Sequence, residues 1–213
     1  MRAIWKGYIR FSLVTIPVNL YSAVESSAKI SFNQLHKEDN GRVGYDKKCK
    51  KCGNSLTTTD IVKGYEYEPD HYIILEPEDF QKVKLESTRT IEIVGFVNSS
   101  EVHPTLYDSP YFIGPDGVVG KEAYALLVQT LKETGKMGIG KVVLRDREDM
   151  IMISPQENGL VMYKLRYPNE LRKIETVPQL NGVKPSKEQL KLAHTLVDSM
   201  TTSIDEIEMK DKY

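Results

Sequence analysis

Residues 2–21, RAIWKGYIRFSLVTIPVNLY, constrain the fold of this chain more than any other stretch. Ile4, Gly7–Phe11 and Leu13–Ile16 form two short extended runs, rich in β-branched and aromatic residues, with a break between them. Pro17 has no N–H to give to a ladder, so it marks an edge or a bend. Such a segment suits a strand of a β-barrel.

The rest of the chain keeps to short elements. Residues 29–36 alternate moderately and predict a strand. Residues 37–59 are polar, with Asn40-Gly41 as a tight-turn signal, and read as a long excursion out of the barrel. A strand is predicted at His71–Leu75, stopped by Glu76-Pro77, then a short helix over 77–83 with Glu78 and Asp79 in its first turn. Thr90–Val97 alternates at period two, and Tyr111–Ile113 is a shorter strand ended by Pro115-Asp116-Gly117. Over 121–134 a helix places Ala123, Leu127 and Leu131 on one face, Tyr124 and Val128 beside them, and Gly135 at its end. Strands follow at 139–145, 150–154 and 159–167. Pro178, Gly182 and Pro185 make 175–185 a linker, and Ser186 with Gln189 forms a capping box for a helix to Met200. The pattern is mainly β with helical additions: a barrel of about seven strands over 1–174, a linker, and a helical arm with a short acidic tail over 186–213.

Composition narrows the classes. With 213 residues the chain suits one medium domain and an appended arm. No run approaches the roughly 18 apolar residues of a membrane span. The N-terminus has Arg2 but no apolar core of a signal peptide, so no export is expected. Two cysteines three apart make no disulfide framework and suit a reducing interior.

The net charge is −1, whereas nucleic-acid-binding domains are usually basic. Binding follows the local field, however, and the charges here are segregated. Residues 42–51 hold Arg42, Lys47, Lys48, Lys50 and Lys51 against Asp46 alone. Residues 136–147 hold Lys136, Lys141, Arg145 and Arg147 against Asp146, and 164–173 hold Lys164, Arg166, Arg172 and Lys173 against Glu170. Acids gather at 66–79 and at 205–211. A charge run is commonly just a solvated face; three basic runs set apart from acidic ones suggest a shared basic surface.

Two motifs invite a chemical reading. Gly135 to Lys141 fits GxxxxGK, but Val142 stands where a P-loop has its Mg²⁺-binding Ser or Thr. The segment also follows a helix and opens a strand, the reverse of a P-loop, so nucleotide binding is rejected. Cys49 and Cys52 are half of a zinc knuckle. The chain has no second pair; His36 offers a third ligand and a dimer could supply the rest, while the alternative is a tight turn that keeps its thiols without metal. No cofactor is expected otherwise. His36, His71, His103 and His194 are scattered, and neither HExxH nor GxSxG occurs, so nothing argues for an enzyme.

The order of motifs carries more than any one of them. Ile4-Trp5-Lys6-Gly7, Phe11 to Val18 (FSLVTIPV) and Leu20-Tyr21-Ser22-Ala23 resemble the opening of the prokaryotic Ku proteins, DNA-end-binding factors of non-homologous end joining. The resemblance continues through Asp60 to Tyr67 (DIVKGYEY), Glu122 to Leu127 (EAYALL), Glu133 to Lys136 (ETGK), Gly140 to Arg145 (GKVVLR), Leu165-Arg166-Tyr167 and Leu190 to Ala193 (LKLA), so it covers roughly residues 2–200.

This resemblance implies a Ku-type barrel core, a bridge at about 33–64, and an arm that crosses to a second subunit, so that a homodimer rings the duplex and DNA enters from an end. Sequence-independent binding needs phosphate contacts, for which Lys and Arg are the right residue types. Arg42, Lys47, Lys48, Lys50, Lys51 and Lys63 are then expected on the bridge, and Lys141, Arg145 and Arg147 in the cradle. Leu190, Ala193, Leu196, Val197 and Met200 repeat at helical spacing and would form the dimer arm. The family's setting is the cytoplasm, at the nucleoid and away from membranes, and its partner is an ATP-dependent end-joining ligase. Bacterial members commonly continue with more helix and a basic tail, where a ligase would be recruited; here residues 203–213 are acidic. Two other classes stay open: an assembly domain that kept the barrel and lost DNA binding, and a zinc-knuckle module for RNA or single strands. The single aromatic Tyr45 within 37–59 speaks against base stacking in the second.

Overall fold

The computed structural model describes residues 1–25, 30–83, 89–144, 147–180, 182 and 184–209. The chain runs β1 (Trp5–Phe11), β2 (Val14–Ser22), β3 (Lys63–Glu68), β4 (His71–Leu75), α1 (Pro77–Val83), β5 (Thr90–Asn98), β6 (Tyr107–Pro115), α2 (Gly117–Thr134), β7 (Lys136–Leu144), β8 (Arg147–Gln156), β9 (Gly159–Leu165) and α3 (Lys187–Met200). Contacts divide it into two compact units, Met1–Pro168 and Asn169–Tyr213.

In the first unit the strands close a barrel in the order β1-β2-β6-β9-β8-β7-β5. Neighbours are antiparallel except the closing pair, where β1 and β5 run parallel with Ile9 opposite Ile91. The N-terminal runs are a hairpin whose two-residue turn, Ser12-Leu13, follows from the Phe11–Val14 pairing. Ser12 takes a positive φ of 50°, as the first position of one tight hairpin turn requires. Ile9, Ile16, Val18 and Leu20 from this hairpin meet Ile91, Val142, Ile151, Ile153, Leu160 and Met162 in one core. Each such buried side chain contributes about 1.5–3 kcal/mol of transfer free energy.

Pro17 marks neither an edge nor a bend of the sheet. It sits inside β2, between two neighbouring strands, opposite Tyr8. The β2–β6 ladder begins only at Val18, so the missing N–H falls one residue beyond it, and the Pro17 carbonyl accepts the Asp116 N–H at 2.9 Å. Nor does the expected strand over 29–36 form in its described part. Residues 30–36 contribute only the isolated bridge Leu35–Arg42, and Ile30, Phe32 and Leu35 face solvent. Alternation makes a strand only where one face has something to bury against. His71–Leu75 is a strand, but it pairs with β3 in a two-stranded sheet outside the barrel.

Helix α2 packs against β2, β6, β7, β8 and β9. Its buried face is Gly120, Tyr124, Leu127, Val128 and Leu131, and Gly135 ends it in the left-handed conformation (φ 64°). Gly120 permits the approach to β2: a Cβ there would lie 2.8 Å from Pro17 Cγ. Gly140 permits another, since its Cβ would stand 2.4 Å from the Glu92 carbonyl oxygen. The glycines of the GxxxxGK segment thus serve the helix end and the β5–β7 contact.

In the second unit, α3 starts at the expected capping box, with Ser186 Oγ accepting from the Gln189 N–H and Gln189 Oε1 from the Ser186 N–H. None of its residues is buried.

Candidate nucleic-acid interface

Between β2 and β3 the chain leaves the barrel and is organised by local backbone bonds. A first turn closes where Asn40-Gly41 predicted one: the His36 N–H donates to the Gly41 carbonyl (2.8 Å) and the Asn40 N–H to the His36 carbonyl (2.9 Å). Asp39 accepts from the Gly41 N–H at 2.8 Å and pairs with His36 Nδ1 at 2.9 Å, which together hold its carboxyl below the usual range. A second turn is built on the cysteines. The Cys49 N–H donates to the Asn54 carbonyl (2.9 Å), the Gly53 N–H to the Cys49 carbonyl (2.8 Å), and Lys48 bridges to Ser55. Gly53 takes the positive φ of 77° that this turn needs. Next to it, Thr57 and Asp60 cap each other's backbone.

The knuckle turns two backbone N–H groups, of Cys52 and Lys51, onto the Cys49 sulfur. These, with the Cys52 thiol and the Lys51 charge behind them, hold the Cys49 thiol below its ordinary pKa. The sulfurs suit a soft cation. His36 pairs with Asp39 through Nδ1, which leaves its Nε2 free of that bond. Among the described residues no three His, Cys, Asp or Glu side chains gather to hold a metal. The pair is half a site.

Arg42, Lys47, Lys48, Lys50 and Lys51 are all exposed on this excursion, and among the described residues none of them enters an ion pair. Lys63, at the start of β3, lays its ammonium 4.6 Å from the centre of the Phe80 ring. Five unneutralised cations on a thin ribbon give a local field that the net charge of −1 conceals.

The barrel cations differ. Lys141 Nζ lies 3.2 Å from Glu148 Oε1, within a lateral row in which Arg10 also pairs with Glu92 at 3.2 Å. Strand order makes this row: Arg10 lies opposite Glu92, and Glu92 opposite Lys141. Arg147 Nε stands 3.8 Å from Asp149, a carboxylate on the core-facing side of β8 that also holds Lys164 Nζ at 2.9 Å. Arg145 lies outside the described residues. Arg166 is occupied structurally: its guanidinium donates to the Thr105 and Tyr107 carbonyls and to Asp108 Oδ1 (2.9 Å). For Lys141, Lys164 and Arg166 the sequence runs could not separate these states, because the carboxylate comes from a neighbouring strand, whereas Arg147 pairs two residues along its own strand. On α3, Leu190, Ala193, Leu196, Val197 and Met200 are exposed. Among the described residues no helix is long and apolar enough to cross a membrane.

A family model described as the Ku70/Ku80 beta-barrel domain matches residues 10–192, from the first hairpin into α3. The chain is 41% identical over 214 residues to the non-homologous end joining protein Ku of Archaeoglobus fulgidus, covering 100% of this chain and 84% of that one. It is 37% identical over 211 residues to the protein of that name from Koribacter versatilis, covering 99% and 71%. The Bacillus subtilis protein is likewise 37% identical over 215 residues, covering 100% and 68%.

Proposed function

The chain belongs to the Ku family, and on that premise we propose that it binds the ends of double-stranded DNA without regard to sequence, as a ring-shaped homodimer serving non-homologous end joining. The observation that carries this is the ribbon of cations, Arg42, Lys47, Lys48, Lys50 and Lys51, held out from the barrel and in no ion pair among the described residues. Phosphate contacts fix a protein on a duplex while reading no bases, and Lys and Arg make them. A unit of this size does not surround a duplex alone, so two copies supply the two barrels and two bridges of a ring. The exposed apolar stripe of α3 is the surface that a dimer arm would bury. Lys141 and Arg147 would contribute to the cradle by exchanging their carboxylate partners for phosphate. A ring threaded at the nucleoid would present ends to an end-joining ligase.

Zinc at the knuckle would need two further ligands. A second copy carries the same pair, and one metal ion per dimer by elemental analysis is the expected result of that arrangement.

The test is one duplex in two forms, linear and covalently closed without ends, at two salt concentrations. Tight binding to the linear form alone is expected. With ~6–10 phosphates neutralised, affinity should fall by several orders of magnitude from low to moderate salt. Equal binding to both forms would mean an open cationic surface without a ring. Binding to neither would favour an assembly domain.

A further inference from the structure

The β3–β4 hairpin stands outside the barrel and touches α1 through Lys63 and Phe80. It pairs with no other described strand. On the face that carries Glu66, Tyr72 and Ile74 are 56% and 60% exposed, and on the other Tyr65 is 62% exposed. Two strands alone are marginally stable in water, and an exposed apolar surface of this kind marks an interface. Its charge says what fits. Glu66, Glu68, Asp70 and Glu76 lie on the hairpin and its exit, against Lys63, whose ammonium is turned to Phe80. Glu66 is fixed in place, accepting from the Tyr72 hydroxyl (3.2 Å) and the Asp70 N–H (3.0 Å). This surface repels phosphate. It suits a cationic, partly apolar segment.

The chain carries such a segment. Residues 42–51 combine five unpaired cations with exposed Val43 and Tyr45, and among the described residues they make no ion pair with the hairpin of their own copy. We propose that the β3–β4 hairpin of one copy docks the 42–51 ribbon of a second copy, so that the bridge is closed by acidic hairpin against basic ribbon. Arg42 and Lys47 lie before the turn that Cys49 and Gly53 close, and Lys50 and Lys51 lie within it, so one stretch can meet the hairpin while the other keeps cations for a duplex. This rests on the homodimer reading above and names the surfaces that meet.

The test uses the full chain without DNA. Sedimentation first establishes the dimer. A 1:1 mixture of ¹⁵N-labelled and unlabelled protein is then joined by a carbodiimide, which links carboxylates to lysines in direct contact. Cross-links between a peptide spanning 63–76 and one spanning 42–51, of mixed isotope composition, are expected. A dimer with no such links between copies overturns the docking and leaves the homodimer standing; a monomer removes both. As a second measurement, Glu66→Lys with Glu68→Lys, and separately Lys47→Glu with Lys48→Glu, should each weaken dimerisation about tenfold or more, and mixing the two variants should restore it. Failure of the mixture to recover, with both variants folded by circular dichroism, also overturns it.

Discussion

The Tyr124 hydroxyl bridges β6 and β9: it donates to the Ile113 carbonyl at 2.5 Å and accepts the Leu160 N–H at 2.9 Å. Ile113 and Leu160 are opposite one another at the end of their ladder. A side chain from α2 thus completes a sheet hydrogen-bond pattern and fastens the helix to the barrel. Tyr124→Phe leaves a buried N–H and C=O without this partner. A loss of about 1–3 kcal/mol is expected in chemical denaturation, with DNA binding by the folded protein unchanged.

The same burial pushes the Tyr124 phenol above its ordinary pKa. The neutral form is therefore favoured in the folded state more than in the unfolded one. Stability from this source is full below the unfolded phenol's pKa, about 10, and is lost as pH rises through the higher folded value. Denaturation midpoints should fall at alkaline pH, and less steeply in Tyr124→Phe.

Replacing Lys47, Lys48, Lys50 and Lys51 together by Ala should lower duplex affinity and flatten its salt dependence, by about 0.9 in the log–log slope for each phosphate no longer neutralised. Lys141→Ala should change the slope by less, because its ammonium already has a carboxylate at 3.2 Å. Fluorescence anisotropy over a salt series measures both.

Arg166 sits in a basic run, yet it ties the end of β9 to the start of β6 and the turn before it, through the Tyr107 carbonyl and Asp108 and through the Thr105 carbonyl. Arg166→Ala should therefore cost stability, by about 1.5–3 kcal/mol as for hydrogen bonds to charged groups, and leave the salt slope of DNA binding unchanged. A slope that falls by about one would make Arg166 a phosphate-binding residue.

Cys49 should react with an alkylating agent as a thiolate at lower pH than a free cysteine, whose pKa is about 8.5. Mass spectrometry of partly alkylated, metal-free protein over a pH series locates the midpoint. A Cys49 midpoint at or above that of a free cysteine would remove the role given to the Cys52 and Lys51 N–H groups.

Much of this protein was legible in its sequence because the signals are local. Period two gave Thr90–Val97 of β5, period 3.6 with Gly135 gave α2 from 121 onward though not its first turn at Gly117, and Ser186 with Gln189 gave the start of α3. Ordered motifs also pointed to the Ku family, and the basic run at 42–51 to a cationic ribbon. What the tertiary structure decided concerns neighbours distant in the chain. Pro17 falls beyond the ladder because β6 ends at Pro115; the YIIL strand leaves the barrel because β3 pairs with it; Lys141 meets Glu148 from the neighbouring strand, while among the described residues Lys47 and Lys48 enter no ion pair. Hydrogen-bond pairing and Coulomb attraction depend on distance in space, and sheet topology places Glu92 beside Lys141 across 49 residues of chain that no local pattern spans.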